Sequence, residues 1–503
     1  MADEYAKENT GTFLYGRLPI YTTVDGFDPS EPEQIIAEVN EALSIHTQNL
    51  IAMEYLYWYR RGITPIYAKG KEVRPEINNK VSENIAGAIV DFKNGYFLTQ
   101  PAFYTSRKED AEVNDKVKQL NDFLYVSGKQ QADNEMVDWF HTVGKADLFV
   151  RSNDDPDIPY EAFSLDPRSA FVVKSMKPGN KVVYAVHAVT DNGVLHLDVW
   201  DKNYVYRLLG TATGRLATPD PNYICTASSV ESIEPNPLGE IPIIEYHYNS
   251  VYMSAFESVI PLLDAINQIQ SDRLDGIDQF IQSLLIFYNC ELGEDPNGNP
   301  ITTQYVREAG ALFLKNVGEN KADVKELSSQ LDQSQTQVLV DYLYEQVLHI
   351  CGMPSTTKGG SSTSDTGLAV ELRDGFFLCS TMARNTEDLF KKSNREFDKI
   401  VTKLLREKGI LDISVNDFEL NFTRTEVHGA QSKAQAGMAM LQMGYHPIIA
   451  FERSGLSPDP VSDYEMSKEY LRMRWGDPNA PIEQPKTEIV EEDNNTGGLG
   501  NVL

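Results

Sequence analysis

The sequence predicts an α+β protein with long helices, and three observations lead to that class. At 503 residues the chain is too long for one hydrophobic core and suggests about three modules. Its central part carries short apolar segments with a period of two, which is typical of strands. Further along, two long segments with the apolar spacing of helices flank a polar Gly/Ser/Thr break. Helices and strands therefore occupy separate stretches, an order that does not fit a Rossmann or P-loop layout.

The N-terminal part predicts an α-rich module. Ser30-Glu31-Pro32-Glu33 has the pattern of a capping box with proline in the first turn, and opens an amphipathic helix that runs to Trp58. Further helices are predicted over Asn84–Leu98, Glu109–Val126 and Asn134–Val143, with a short strand at Ala102–Thr105 between them.

From Ala146 onward the apolar period changes to that of strands. Turn sequences at Pro178-Gly179-Asn180 and Asp191-Asn192-Gly193 separate successive runs, which predicts hairpins and hence an antiparallel meander. A last strand, Ile241–Tyr246, precedes the next helix. The predicted meander runs are Phe149–Arg151, Phe171–Lys174, Val182–Val186, Val194–Val199 and Tyr204–Tyr206.

A long rod is predicted over Ser254–Phe287, where about 34 residues at ~1.5 Å each give roughly 50 Å. A rod longer than a small domain is wide must pack on something outside its own module, most simply a neighbouring copy. Its middle is polar rather than apolar. The polar positions that share roughly one helix face are Gln268, Asp272, Asp275, Gln279 and Gln282.

A second rod is predicted over Leu331–Ile350, and helical spacing resumes over Leu368–Leu404 after the polar break. A polar loop between two stiff helices is more often used than merely connecting. We expect one buried face on the second rod, made by Val338, Leu339, Tyr342, Leu343, Val347 and Ile350.

The flanking segments complete the predicted order. Asp295–Pro300 is predicted as a turn and Ala311–Leu314 as a strand, so that a small β-containing tip lies between the two rods. After them come a strand at Leu420–Arg424 and then two helices and a tail that is predicted to be disordered. These last segments are Ala430–Met443, Tyr464–Trp475 and the residues from Gly476 onward.

Charge and composition narrow the function classes. With 74 acidic against 45 basic residues the net charge is −29, so free nucleic acid should be repelled. Such a chain is either an ordinary acidic protein or one past which DNA must slide without adhering. No apolar run reaches membrane length and Met1–Thr10 is polar, which predicts a cytoplasmic protein or part of an assembly made there. The four scattered cysteines predict reduced thiols in the core, with His349 beside Cys351 there too.

Catalytic motifs are missing. The stretch Lys358–Ser362 has the composition of a phosphate-binding loop but not its order, and HExxH, GxSxG and GxGxxG do not occur. We therefore predict no enzyme activity, no cofactor and no metal site. A hydrolase that uses an unrecognised carboxylate pair is left as an alternative of a different class.

Four stretches, in this order, resemble the portal protein family of tailed bacteriophages, in particular its siphophage-type branch. The first is similar to a wing helix and its turn, the second to the strand that enters the stem. The third is similar to a Gly-rich tunnel loop with its spanning helix, and the fourth to a C-terminal strand and crown-helix opening. They are Ile85–Phe103, Gly239–Ile244, Ser361–Leu372, and Phe422–Thr425 with Ser457–Glu465.

The resemblance implies a portal-like fold with long stem helices, an α/β wing containing the meander, a small β-containing clip and a helical crown. The implied parts are an N-terminal arm 1–29, wing 30–250, stem helix 251–287, clip 288–330, second stem helix 331–352, tunnel loop 353–365, wing-spanning helix 366–408, strand and crown 409–475, and acidic tail 476–503.

The resemblance also implies a role: a ring, usually of twelve subunits, at one capsid vertex, through which double-stranded DNA is packaged and later ejected. The large terminase subunit and then a head-completion or adaptor protein would dock on the tip, and capsid and scaffolding proteins on the wing. The polar face of the stem would line the channel. Loop residues implied to touch DNA are Ser355, Thr356, Thr357, Lys358, Ser361, Ser362 and Thr363. The main alternative is a ring or scaffold component of a viral or contractile assembly without a DNA path.

Overall fold

The computed structural model describes residues 16–72, 74–108, 110–213, 223–281, 284–288, 290–292, 314–316, 323–327, 333–354, 376–422, 430–455, 457 and 460–475. Helices and several small sheets confirm the predicted α+β class. The chain divides into two compact units, Met1–Val427 and His428–Leu503. The predicted loop at 353–365 lies outside the described residues from Ser355 onward, and the predicted tail lies outside them entirely.

The helices follow most of the predicted pattern. One starts earlier than predicted, at Lys129, because its first turn is polar and carries no apolar period. The predicted capping box is wrong: Glu31 is the N-cap residue, and the Ser30 hydroxyl instead donates to Asp28. The helices are α1 Pro32–Arg60, α2 Ile85–Phe97, α3 Ala111–Val126, α4 Lys129–Val143, α5 Ile260–Ile281, α6 Gln333–Ile350, α7 Phe376–Glu407, α8 Ala430–Gln442, α9 Pro447–Ser454 and α10 Pro460–Trp475.

The strands of the first unit form several sheets. The largest has the order β1-β5-β6-β7-β8-β9, a second has the order β10-β3-β4, and three are pairs, β11-β14, β12-β13 and β15-β2. The strands are β1 Ile20–Thr22, β2 Phe103–Ser106, β3 Lys145–Ser152, β4 Tyr160–Leu165, β5 Ala170–Ser175, β6 Val182–Asp191, β7 Val194–Trp200, β8 Tyr204–Thr213, β9 Ile224–Pro235, β10 Ile243–His247, β11 Leu284–Tyr288, β12 Cys290–Leu292, β13 Leu314–Asn316, β14 Asp323–Leu327 and β15 Phe418–Asn421.

The antiparallel meander is confirmed by the consecutive pairing of β5 to β9. Its two predicted turns contain residues with positive φ, Gly179 with Asn180 and Asn192 with Gly193, as tight hairpins require. The first predicted run is misplaced, since β3 pairs with β4 and β10 in the other sheet. Strand β9 is not predicted from the sequence, because it is a polar strand at the edge of the sheet.

Apolar packing fixes where the long helices sit. Helix α1 covers the large sheet, with Ile35 and Val39 in one cluster with Phe171. Helix α7 packs on β10 and α4 through Phe390 and Phe397. The start of α5 and the end of α6 share a third cluster with α1 and α2. That cluster includes Met53, Ile89, Phe256, Leu263 and Val347.

A buried polar network holds α7 against the strands. The Asn394 Nδ2 donates to Asp398 Oδ1 at 2.9 Å and to the Tyr104 hydroxyl at 3.1 Å. The Tyr246 hydroxyl donates to Asn394 Oδ1 at 3.1 Å, and the Tyr104 hydroxyl donates to Asp398. Burial raises the pKa of Asp398 to about 7, although the Tyr104 hydrogen bond opposes the shift. Such a network fixes the register of a helix, because a slipped register would leave these groups unpaired.

The prediction of one rod over Ser254–Phe287 is wrong. A 3₁₀ turn at Glu257–Val259 precedes α5, which has 22 residues and rises about 33 Å. After Ile281 the chain forms β11, which pairs antiparallel with β14. The run Leu284–Tyr288 is apolar and aromatic at every position, so its pattern fits a strand as well as a helix end. A partner strand far along the chain decides the outcome.

Candidate functional site

The structure places only part of the predicted channel face. Gln268 and Asp272 are exposed on α5, and the Gln268 Nε2 donates to Asp272 Oδ2 at 2.9 Å. Gln279 lies in the last turn of α5, where only the backbone is described, and Gln282 lies outside the described residues. The predicted loop residues from Ser355 to Thr363 also lie outside them.

Asp275 does not belong with the exposed residues. It is 4% exposed, and its Oδ1 accepts the backbone N–H of Asn79 at 2.6 Å. The Lys69 and Lys71 ammonium groups lie 3.3 and 3.2 Å from its other oxygen. Burial alone would raise the pKa of Asp275, but the Asn79 and lysine hydrogen bonds outweigh burial and hold the pKa below its ordinary value. Its carboxylate is used within the chain, which removes it from the proposed channel-lining set.

The partner of this helix face is the segment between α1 and α2, residues 61–84, which we call the strap. It lies along α5 and donates backbone N–H groups to three α5 side chains spaced four residues apart, on one row of the helix. These contacts are Glu83 N to Asn267 Oδ1 at 2.8 Å, Val81 N to Ser271 Oγ at 2.9 Å and Asn79 N to Asp275 Oδ1 at 2.6 Å.

Charge reinforces the strap. Lys69 Nζ lies 2.7 Å from Asp272 Oδ1, in addition to its contact with Asp275. The polar middle of α5 is therefore largely a docking face for the chain's own strap. The sequence carries a signal for this docking, since residues 60–82 hold six Lys or Arg against two Glu in a chain of net charge −29. A basic segment in so acidic a chain indicates an acidic partner nearby.

The strap contacts give a direct prediction. Asp275→Asn keeps the side-chain shape but removes the charge from buried hydrogen bonds, each worth about 1.5–3 kcal/mol. We expect amides of residues 77–84 to exchange hydrogen at least tenfold faster, measured by mass spectrometry. Asp388→Asn is the matched control, because Asp388 is an exposed residue of α7 outside the strap and α5, and it should leave these rates unchanged. Equal rates in both variants would contradict the assigned role of Asp275.

The base of α5 is locked by a buried ion pair. Arg17 Nη2 lies 2.5 Å from Glu257 Oε1, with both side chains at most 1% exposed. Burial lowers the pKa of Arg17, and Glu257 offsets part of that shift. Two glycines with positive φ pack closely against the segment that leads into α5. A Cβ on Gly16 would lie 1.8 Å from Val251 O, and one on Gly144 would lie 2.0 Å from Tyr252 O. The entry to α5 is thus held tightly by distant parts of the chain.

The burial of the side chains of helix α6 differs from the prediction. Val347 is buried, but Val338 is 69%, Leu339 48%, Tyr342 58% and Ile350 44% exposed, so the predicted buried face is mostly a solvent-facing apolar stripe. We call Val338, Leu339, Tyr342 and Ile350 the α6 stripe. Among nearby residues, Cys351 is buried as predicted, whereas His349 is exposed and its predicted core position is wrong.

Two features are absent from the described part of the chain. None of its helices is both long and apolar enough to span a membrane. Within the same residues, His, Cys, Asp and Glu side chains do not gather in any group of three or more that could hold a metal ion.

Comparison with known proteins gives a family. Residues 40–447 match the model of the family described as phage portal protein, SPP1 Gp6-like. The chain is 23% identical over 282 residues to the portal protein of Bacillus phage SPP1, which covers 52% of this chain and 52% of that protein. The chain therefore spans about half the length of the curated relative that it matches.

The chain is also similar to a solved structure of the neck of an empty GTA particle, with 12% sequence identity and a TM-score of 0.39. It covers 75% of this chain and 91% of that chain. A likeness this distant adds nothing to the assignment. Both sequence matches define the same class, the structural proteins of phage particles. The chain belongs to the phage portal protein family of the SPP1 Gp6-like type, which confirms the resemblance noted in the sequence.

Proposed function

We propose that the protein is a portal, or connector, that forms a ring at one capsid vertex and provides the channel for packaging and ejection of double-stranded DNA. The observation that carries the proposal is the α6 stripe in a chain of the portal family. Four large apolar side chains in line on one helix are costly in water. Covering each contributes on the order of 1–2 kcal/mol.

A closed ring of identical copies covers such a stripe on every copy without leaving a free edge. The proposed number is twelve, the usual number in the resembling family. In this ring α5 and α6 are the stem helices, the first unit up to β10 is the wing, and strands β11 to β14 belong to the clip. The second unit is the crown.

The proposed DNA path is acidic and polar. Gln268, Asp272, Gln279 and Gln282 are the proposed lining residues, and the net charge of −29 supports a wall to which duplex DNA does not adhere. The loop from Ser355 to Thr363 would reach the DNA, its hydroxyl groups and Lys358 making brief phosphate contacts.

Partners follow from this location. The large terminase subunit would dock on the tip between Phe287 and Val324 and supply the energy for packaging, and a head-completion or adaptor protein would take its place afterwards. Major capsid and scaffolding proteins would contact the wing. The ring would be assembled in the host cytoplasm and kept in the virion.

The loop provides a test of the DNA path. Deletion of Thr357–Thr363 should leave ring assembly intact and reduce packaged or retained DNA, because the phosphate contacts are lost. The measurement is DNA content of heads after complementation. A variant in which glycine and serine replace the same seven residues keeps the loop length but lacks Lys358. It is the matched control that separates the loss of Lys358 from the loss of the loop. Normally filled heads from the deletion variant would remove the loop's role and favour a ring component without a DNA path.

A further inference from the structure

Each chain carries two different exposed surfaces on its α5–α6 pair, and they lie on different sides of α5. We propose that, in the ring, the α6 stripe of one copy packs against the strap of the next copy. The inference rests on the proposed ring and specifies which surfaces form its interface.

The two sides of α5 are set by its contacts. Ser271, in the row Asn267–Ser271–Asp275, faces the strap. Arg273 faces α6, since its Nη1 donates to Gln337 Oε1 at 3.0 Å. Gln270, one turn before Arg273, accepts from Arg273 Nη1 at 2.9 Å and donates to Glu83 of the strap at 2.7 Å, so the strap and α6 lie on adjoining sides of α5.

The strap exposes apolar and basic side chains together with the acidic Glu72 and Glu76. Ile63 is 55% and Tyr67 49% exposed. Arg61 and Lys80 are also exposed, and in the described part of the chain each lacks a carboxylate partner: Arg61 stacks on Tyr57, and Lys80 donates to the Tyr67 carbonyl oxygen. This last bond bridges two parts of the strap and keeps Tyr67 and Lys80 close together.

The α6 surface complements it. Val338 and Tyr342 give an apolar centre, and Asp341 and Glu345 follow the same helix with acidic groups, Asp341 being exposed. Apolar side chains would meet apolar ones while acids face Arg61 and Lys80. A second copy is therefore the occupant that fits.

The pairing of unlike surfaces distinguishes a ring from a dimer. Two unlike surfaces on one chain make a head-to-tail interface, which gives a ring when the rotation between copies closes and an open filament when it does not. If the α6 stripe met its own counterpart instead, the contact would be self-complementary and would end at a dimer.

Cysteine crosslinking tests the pairing. Tyr67→Cys and Tyr342→Cys are made in separate full-length chains, mixed, oxidised and run on a denaturing gel, with wild type as the control for native thiols. We expect at least tenfold more covalent dimer in the mixture than with either variant alone. A chain with both changes should give a ladder of higher multiples.

Three outcomes would overturn the proposal. Strong crosslinking of Tyr342→Cys with itself would show a self-complementary contact. Rings seen by electron microscopy without a crosslink in the mixture would reject this interface while leaving the ring in place. Solitary subunits by mass photometry would reject the interface together with the proposed function.

Discussion

A chain carrying both Val338→Asp and Tyr342→Asp is expected to stay folded and to form no rings. Both side chains are mostly exposed in the single copy, so the substitutions create no internal cavity. In an assembled ring each would bury an unpaired carboxylate in an apolar contact, at a cost of several kcal/mol. Every interface around the ring carries the same defect, so the losses add up over the assembly.

The measurement is the mass distribution of the purified variant by mass photometry, with circular dichroism to show that the fold is kept. Val189→Asp is the matched control, because Val189 is 47% exposed on β6 and lies away from α5 and α6. Rings should persist in the control and disappear in the double variant. Rings of normal mass in the double variant would show that the α6 stripe is not buried between copies.

The second large effect is on stability. Arg17→Met leaves Glu257 as a buried charge without a cation, which typically costs about 3–5 kcal/mol of folding free energy. The affected transition is that of the first unit, and we expect its thermal midpoint to fall by several degrees. Scanning calorimetry or near-ultraviolet circular dichroism measures it.

Lys177→Met is the control for loss of a lysine or arginine from an ion pair. Lys177 pairs with Asp25 at the surface, where the two side chains are 67% and 70% exposed, so water replaces the lost partner. Its midpoint should equal that of wild type. A similar midpoint for Arg17→Met would mean that the buried pair does not hold the base of α5.

Much of the fold is local in origin and could be predicted for that reason. Helix α7 has an apolar period over its whole length, and the turns at Gly179 and Asn192 have the residues that tight hairpins need. Strands β4 and β9 could not be predicted, because their neighbours in the sheet determine them: β4 pairs with β3, and β9 is a polar strand at the edge of its sheet. The predicted end of α5 is wrong for a related reason: Leu284–Tyr288 forms a strand because it pairs with β14, about forty residues away along the chain.

The site was harder to predict than the fold. An apolar stripe such as Val338, Leu339 and Tyr342 has the same sequence pattern whether it is buried in its own chain or exposed for another copy. Likewise, polar residues at one helix face fit a channel wall, and Asp275 shows that they can equally receive a segment of the same chain. Only the contacts of the folded chain distinguish these cases.

The most direct test of the central claim is imaging of the purified full-length protein by electron microscopy. We expect radially symmetric rings of many copies around an open axis wide enough for duplex DNA. Well-folded single subunits or closed dimers at every salt and protein concentration would contradict it.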